Sequence, residues 1–97
     1  MVLLVVTYDV NTADPGGAQR LRQVAKLCER YGARVQNSVF EVMVDAAQLT
    51  VLKSELQRTM DPEKDSIRFY RLGNHYQNKI DTLGRSAKVE AGQPLIL

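Results

Sequence analysis

The residue best placed to do chemistry is Asp9, which closes an apolar run over residues 2–8 and is followed by a polar stretch. The β-branched content and the length of that run predict a strand rather than a helix. Because both faces of this strand are apolar, we expect it to be central and covered on both sides. An acidic side chain at the carboxyl end of such a strand can reach a metal ion or a substrate. The alternative for Asp9 is a capping or turn role.

Charge is unevenly distributed along the 97-residue chain, although its formal net charge is only +2. Residues 16–36 carry five basic residues against one acidic residue, and residues 66–88 repeat that ratio. Residues 41–65 lie between them and carry six acidic residues against three basic ones. We therefore expect an acidic side and a basic side that suits phosphates, with an ordinary solvated surface as the alternative for the basic residues.

The composition, with 44% hydrophobic and 25% charged residues, predicts a single soluble globular domain. The single cysteine, Cys28, cannot form an intrachain disulfide and, with no export signal, favours a cytoplasmic location. Its place on the apolar stripe of a predicted helix favours a small buried side chain over a reactive thiol. The amino-terminal apolar run is far shorter than the roughly 18 residues of a membrane span, so we expect neither an anchor nor a signal peptide.

A first helix is predicted to follow the turn-forming residues 12–17. Asp14 is expected to cap its amino terminus, with Pro15 at the first helical position and Gly32 as the carboxyl cap. Apolar residues recur on one side at helical spacing, and basic residues form a stripe on the opposite side. The apolar side holds Leu21, Val24, Ala25, Cys28 and Tyr31, and the basic stripe holds Arg22, Lys26 and Arg30.

The middle of the chain predicts two strands, or one bent strand, and then a second helix. Residues 34–44 are expected to be extended, with the polar residues 36–38 as an interruption and a clear alternation in polarity over residues 39–44. Asp45 and Gln48 have the spacing of a capping box, which opens a helix that ends at residues 61–62.

The last part of the chain predicts one more full strand, over residues 66–72. A short edge strand is expected over residues 78–83, and the three apolar residues Leu95, Ile96 and Leu97 near the end of the sequence are expected to dock on another surface. The order of elements predicts a ferredoxin-like α+β sandwich of βαββαβ type with an additional C-terminal strand. We assign residues 1–83 to this domain and residues 84–97 to a tail that docks on a partner subunit.

One face of the predicted sheet has no helix to cover it. Both helices of this fold lie on the same side, and Leu3, Val5 and Thr7 keep the other side of the first strand apolar. A lone monomer would expose that face, so we expect a homodimer that packs sheet to sheet.

Four stretches of the sequence match a known pattern in both order and spacing. In this order they resemble the small CRISPR-associated proteins of the spacer-acquisition module, and the resemblance covers residues 1 to about 83. The run from Gln36 to Glu41 is its most specific part. The stretches are Val5-Val6-Thr7-Tyr8-Asp9-Val10, Arg20-Leu21-Arg22, Arg34-Val35-Gln36-Asn37-Ser38-Val39-Phe40-Glu41 and Asp65-Ser66-Ile67-Arg68-Phe69-Tyr70-Arg71-Leu72-Gly73.

The resemblance implies a homodimeric, metal-dependent endonuclease of single-stranded RNA or double-stranded DNA, in which the Asp9 residues of two chains hold a divalent metal. It also implies a scaffold role, in which the dimer carries the CRISPR integrase subunits on a new DNA spacer precursor. By matching position, Asp9 takes the catalytic and metal-ligand role, and Phe40 is the aromatic residue near the site. Arg20, Arg22 and Arg34 take the basic contacts. The C-terminal strand of the family usually adds to the partner's sheet.

Metal chemistry suits a lone carboxylate only if a second one arrives from another chain. Mg²⁺ and Mn²⁺ take hard oxygen ligands, and a metal of this kind polarises a phosphodiester for attack by water. Two copies of Asp9 would supply the pair. The candidate supporting residues around it are Tyr8, Asn11, Ser38 and Phe40, and Lys26 and Arg30 join the predicted nucleic-acid contacts.

Several alternatives stay open from the sequence. Ser38 has no histidine at a catalytic spacing and is at most an orienting hydroxyl, while His75 follows a Gly-Asn turn and is expected to be a surface residue. Phe40 and Tyr8 are equally explained as packing residues, and the face of Glu41 is undecided. A non-catalytic DNA-binding scaffold is the alternative function. An RRM-like module is disfavoured because its aromatic RNA-binding motif is absent.

Overall fold

The computed structural model of the chain describes residues 1–85, which form one antiparallel sheet and two helices. The strand order is β2-β3-β1-β4, so β1 is central and both helices connect strands of one sheet. This arrangement confirms the predicted ferredoxin-like α+β sandwich of βαββαβ type. The elements are β1 Val2–Asp9, α1 Gly17–Glu29, β2 Gly32–Gln36, β3 Val39–Val44, α2 Ala46–Thr59 and β4 Ser66–Gly73.

The core lies between the helices and one face of the sheet, which we call the helix side. Alternate residues of β1, namely Leu4, Val6 and Tyr8, are buried there. Val6 is paired with Phe40 on β3 and with Phe69 on β4, so one apolar layer crosses three strands. Because side chains alternate between the two faces of a strand, Asp9 must point to the other face, away from the helices.

Each helix contributes its predicted apolar stripe to this core. Besides Gly17, four residues of α1 and three of α2 are buried, and these pack in the core. The predicted capping box is confirmed, since the Gln48 amide donates to Asp45 Oδ1 at 2.7 Å and the Asp45 amide donates to Gln48 Oε1 at 3.0 Å. The buried residues are Leu21, Val24, Ala25 and Cys28 on α1 and Leu49, Leu52 and Leu56 on α2.

The predicted caps of α1 are wrong at both ends. The helix begins at Gly17 with Gly16 at the cap position, and no side chain caps it. The carboxylate of Asp14 lies two residues before that cap position, where it accepts from the Gly16 amide at 3.2 Å as well as from Arg20 and Lys64.

At the other end, α1 stops at Glu29 and Gly32 already belongs to β2, so Gly32 does not serve as the carboxyl cap. A Cβ at Gly32 would collide with the Glu41 carbonyl oxygen of β3, and this close approach explains the glycine.

The two strands predicted over residues 34–44 are confirmed as β2 and β3, joined at Asn37 and Ser38. The edge strand predicted over residues 78–83 is wrong, because that segment has no strand in the structure. Residues 86–97 lie outside the described part of the chain, so the additional C-terminal strand and the docking of the tail stay predictions. Among residues 1–85, neither helix has the length and apolar character that crossing a membrane requires.

The face of the sheet away from the helices, which we call the open face, has neither α1 nor α2 against it. A row of four paired positions crosses it, formed by Ala33, Glu41, Val5 and Tyr70 on β2, β3, β1 and β4. Tyr70 is 47% exposed, whereas Val5 and Glu41 are half-buried. Helices α1 and α2 therefore cover β1 on one side only, although Leu3 and Ala33 at open-face positions are buried, at 1% and 6% exposed. The expectation that a second chain covers the other side stays a prediction.

Candidate functional site

Asp9 is the last residue of β1 and is exposed. It is paired with Ser66, the first residue of β4, so it lies at the end of the central strand pair. Its side chain makes no hydrogen bond or ion pair with any other residue among 1–85. The turn after β1 is made by Asn11, whose Oδ1 accepts from the amide of Ala13 at 3.1 Å. The turn role considered for Asp9 therefore belongs to Asn11, and the carboxylate of Asp9 is available to an external ligand.

The neighbouring residue, Tyr8, points to the helix side and is 2% exposed. Its hydroxyl donates to Asp65 Oδ2 at 2.5 Å. Arg20 binds the same carboxylate at two points, with Nε 2.8 Å from Oδ2 and Nη2 3.2 Å from Oδ1. The amide of Asp61 is a fourth donor, at 3.0 Å. Since the Asp65 side chain is 0% exposed, this carboxylate is buried and held by four hydrogen bonds.

The contacts continue outward from Arg20. Its Nη1 donates to Asp14 Oδ2 at 2.9 Å, and Lys64 Nζ donates to Asp14 Oδ1 at 2.7 Å. The side chains of Arg20 and Asp14 are each 15% exposed. We call Tyr8, Asp14, Arg20, Lys64 and Asp65 the buried network, in which Lys64 is the outermost member and is 47% exposed. The network joins β1, α1 and the turn before β4.

The pKa values of the network follow from these contacts. Burial and the hydrogen bond to Asp65 raise the pKa of Tyr8 to about 12. Burial alone would raise the pKa of Asp65, but hydrogen bonds from Arg20 and Tyr8 outweigh it and lower that pKa to about 2. Hydrogen bonds from Lys64 and Arg20 lower the pKa of Asp14 to about 2. Each group thus keeps its ordinary charge near neutral pH.

Glu41 lies on the same face as Asp9, which settles its orientation. It is paired with Val5 on β1 and with Ala33 on β2, and burial raises the pKa of its carboxyl group. Val5 precedes Asp9 by four residues, which is roughly 13 Å at about 3.3 Å per residue. Glu41 therefore cannot share a metal ion with Asp9 of the same chain. Within residues 1–85 there is no group of three or more His, Cys, Asp or Glu that could hold a metal.

The predicted basic contacts divide into engaged and exposed side chains. Arg20 is engaged by the buried network, and Arg30 pairs with Glu55 at 3.2 Å. Arg34 donates to the Asn37 carbonyl at 2.8 Å, and its guanidinium lies 5.8 Å from the centre of the Phe40 ring. Arg22 and Lys26 are exposed on α1, and neither has an ion pair with a residue in the described part of the chain.

The remaining candidate residues have mainly structural roles. Phe40 is fully buried, which confirms its packing role, and it meets the predicted basic contacts only through Arg34. The Ser38 carbonyl accepts from the Tyr8 amide at 2.9 Å, so Ser38 lies beside the end of β1. Burial raises the pKa of the Cys28 thiol to about 12, which agrees with an unreactive core residue.

The sequence analysis did not identify Asp65 or Lys64 as part of any site. One signal was present in the sequence, because a tyrosine on the buried face of a central strand needs a partner for its hydroxyl. Arg68 was also missed. It lies beside Thr7 on the open face, and a hydrogen bond with the Tyr70 hydroxyl, at 3.3 Å, raises its pKa.

Sequence comparison agrees with the resemblance noted above. Residues 1–80 match the family described as CRISPR associated protein Cas2. Two curated relatives are each 54% identical to the chain over 95 residues, a CRISPR-associated endonuclease Cas2 from Halalkalibacterium halodurans and a CRISPR-associated endoribonuclease Cas2 3 from Rhodospirillum rubrum. The alignments cover 98% of this chain, 99% of the first relative and 100% of the second.

Solved structures give the same answer. The crystal structure of Streptococcus pyogenes Cas2 at pH 6.5 is 54% identical, with a TM-score of 0.78 over 84% of this chain and 99% of that chain. A hypothetical protein from Thermus thermophilus, TT1823, is 31% identical, with a TM-score of 0.74 over 92% and 98%. The chain therefore belongs to the CRISPR-associated Cas2 family, the small endonucleases of the CRISPR adaptation module.

Proposed function

We propose that two copies of this chain bring their Asp9 carboxylates together, bind one Mg²⁺ or Mn²⁺ ion between them, and hydrolyse phosphodiester bonds in RNA or duplex DNA. The observation that carries the proposal is that Asp9 is exposed at the end of the central strand and unengaged within residues 1–85. By contrast, Asp14 and Asp65 nearby are both held by cations of the chain. The names of the relatives support nuclease activity and, for the Rhodospirillum rubrum protein, activity on RNA.

The donor chemistry at Asp9 fits a hard divalent ion. Carboxylate oxygens are preferred ligands of Mg²⁺ and Mn²⁺, and such ions keep several waters when few protein ligands are present. When bound, the ion would polarise the phosphoryl oxygens and activate the attacking water. Asp9 is a single carboxylate, and residues 1–85 contain no group of three or more His, Cys, Asp or Glu that could hold a metal, so the site is complete only when the partner subunit supplies a second ligand.

The open face supports a homodimer. Tyr70 is 47% exposed there and is paired with the half-buried Val5, and the half-buried Glu41 and Val39 lie on the same face of β3, with neither α1 nor α2 over them. Because Asp9 lies on the same face, a twofold axis that passes near the ends of the two β1 strands would bring both carboxylates together. The same association that buries apolar surface would therefore assemble the metal site.

Nucleic-acid binding is assigned to the exposed basic residues and not to Arg20. Arg22 and Lys26 are free to contact phosphates, and Arg34 and Arg30 keep part of their donors available at the surface. Contacts of this kind go to the backbone and carry no sequence information. Arg68 adds a basic group on the Asp9 face, where a phosphate near the metal would lie.

A second function, a non-catalytic DNA scaffold for the CRISPR integrase subunits, is favoured by the separation of Arg22 and Lys26 from Asp9. These residues lie on α1, whereas Asp9 points to the open face. Replacing Arg22 and Lys26 with Glu should weaken DNA binding and reduce the slope of log affinity against log salt by about 2, since each lost phosphate contact removes about 0.9. Arg58→Glu at the end of α2 is the matched charge control.

The nuclease proposal is tested with purified dimer on labelled RNA and duplex DNA, in Mg²⁺, Mn²⁺ or EDTA. Asp9→Asn keeps the size of the side chain and removes the charge, so cleavage should be lost while dimerisation and DNA binding persist. Asp81→Asn, also at an exposed position, is the control and should cleave like the parent. Equal metal-dependent cleavage by Asp9→Asn would disprove the site, and a parent without cleavage under any metal would leave the scaffold function alone.

A further inference from the structure

We propose that Asp65 is a positioning residue for Asp9, acting through Tyr8 and Arg20, and that Arg20 serves this structural purpose and not phosphate binding. The inference rests on the proposed metal site at Asp9. It concerns residues on the helix side of the sheet, which the metal and the nucleic acid would not touch.

Tyr8 and Asp65 occupy matching positions on two paired strands. Tyr8 precedes Asp9 on β1, and Asp65 precedes Ser66 at the start of β4. Asp9 and Ser66 are paired across the two strands. The hydrogen bond from the Tyr8 hydroxyl to Asp65 therefore joins the residues that stand immediately before both members of this pair. One buried carboxylate fixes the ends of both strands.

The position of Asp9 at a strand end makes the hydrogen bond between Tyr8 and Asp65 necessary. It is the last residue of β1, and the irregular residues 10–16 follow it, so ladder hydrogen bonds alone would leave this end free to fray. Tyr8 and Asp9 point to opposite faces, so anchoring Tyr8 beneath the sheet also fixes the direction of the Asp9 side chain. A metal ligand that is held in one direction loses less freedom when it binds.

Arg20 orients the Asp65 carboxylate that accepts from Tyr8. Its two contacts with Asp65 have the forked geometry of a guanidinium on a carboxylate, and a third nitrogen binds Asp14. All three guanidinium nitrogens are thus directed at carboxylates of the chain. Arg22, two residues further along the same helix, is exposed and has no such contact among residues 1–85. Replacing Arg20 should therefore affect Mn²⁺ binding, whereas replacing Arg22 should affect DNA binding.

The test measures Mn²⁺ binding to the full-length dimer by electron paramagnetic resonance, without any nucleic acid. Tyr8→Phe removes one hydroxyl and keeps the Arg20–Asp65 pair, and it should weaken Mn²⁺ binding by about tenfold, the low end of effects seen for residues that support metal ligands. Asp65→Asn should weaken binding at least as much. Tyr31→Phe, at a half-buried tyrosine that also packs on the core, should bind Mn²⁺ like the parent.

Two further variants separate positioning from general loss of stability. Leu52→Ala opens the core beneath α2 and should lower the unfolding midpoint without changing Mn²⁺ affinity, as long as the protein stays folded. Arg20→Gln should weaken Mn²⁺ binding and leave the salt dependence of DNA binding unchanged, whereas Arg22→Gln should lower the salt dependence. If Asp65→Asn does not fold, Tyr8→Phe decides the question, because it leaves the ion pair intact.

The outcomes distinguish this inference from the function on which it rests. If Asp9→Asn loses Mn²⁺ while Tyr8→Phe binds it like the parent, the positioning role is wrong and the metal site stands. If Asp9→Asn itself binds Mn²⁺ like the parent, the metal site is wrong. If Arg20→Gln lowers the salt dependence of DNA binding as Arg22→Gln does, Arg20 is a phosphate contact after all.

Discussion

At the end of β1, polar groups are buried and hydrogen-bonded on one face of the sheet and exposed or, among the described residues, unpaired on the other. On the helix side, Tyr8 and Asp65 are buried, and the Asp65 carboxylate has four donors. On the open face, Asp9 is exposed and unengaged within residues 1–85, and Glu41 is half-buried with no ion pair in the same part of the chain. Tyr8 and Asp9 are adjacent in sequence, so the two environments are separated only by the alternation of a strand.

The difference shows how a small domain separates stability from chemistry. A buried polar group must be paired, because leaving it unpaired costs stability. A group that binds an external ligand must keep at least one lone pair accessible in the free protein. The alternation of a strand places a paired group, Tyr8, next to one that is unpaired within residues 1–85, Asp9. The hydrogen bonds of Tyr8 on the helix side can therefore hold Asp9 in position on the open face.

The largest change in stability is expected from disrupting the buried network on the helix side. Asp65→Asn leaves the buried Arg20 with a neutral partner and should destabilise the protein by about 3 kcal/mol, near the low end for a broken buried pair because Arg20 is 15% exposed. Denaturant unfolding measures the change. Asp81→Asn, at an exposed site, should fall within about 0.5 kcal/mol of the parent. A stability equal to that control would show that the network contributes little.

The pH dependence of stability should have opposite signs on the two faces. The folded pKa of Asp14 and of Asp65 is about 2, below the ordinary 3.8, so their contribution is complete above pH 3.8 and is lost as pH falls toward 2. The pKa of Glu41 is raised above the ordinary 4.5 by burial. Its contribution is therefore present below pH 4.5 and is lost as pH rises through the raised value.

Unfolding in denaturant between pH 2 and pH 7 tests both changes: the loss of stability toward pH 2, which we call the acid limb, and the loss as pH rises above 4.5, which we call the upper limb. Glu41→Gln should remove the loss of stability on the upper limb and leave the acid limb unchanged. Glu63→Gln, in the exposed turn before β4, should alter neither. An acid limb that persists in Asp65→Asn at full size would contradict the assignment of that limb to Asp65.

A smaller effect is expected when the open face is altered. Tyr70→Ala should weaken dimerisation by about 2 kcal/mol, or roughly 30-fold in the dissociation constant, as for a central interface aromatic. Sedimentation velocity measures the change. Val51→Ala removes another exposed apolar side chain, 49% exposed on α2, and should leave the dimer intact. Equal dissociation constants for the two variants would place the dimer interface elsewhere.

Local signals were enough to predict most of the fold. The alternation of β1, the helical spacing of Leu21 and Val24, and the Asp45–Gln48 capping box each depend on neighbours within a few residues. The same local information misassigned Asp14, because its partner Lys64 is 50 residues away in the chain.

The site was predicted only in part, for the same reason. Asp9 could be identified from its place at the end of an apolar strand. The partner of the Tyr8 hydroxyl could not, because Asp65 lies 57 residues further along the chain and reaches it only once β4 pairs with β1. The face of Glu41 likewise depends on the register that pairs it with Val5.

The most direct test of the account is the number of Mn²⁺ ions bound per chain in the full-length dimer, measured by equilibrium binding with electron paramagnetic resonance. Two Asp9 carboxylates sharing one ion predict one Mn²⁺ for every two chains, and they predict that Asp9→Asn abolishes binding while the dimer persists. One ion per chain, or binding that survives in Asp9→Asn, would contradict a metal site formed by this residue from both subunits.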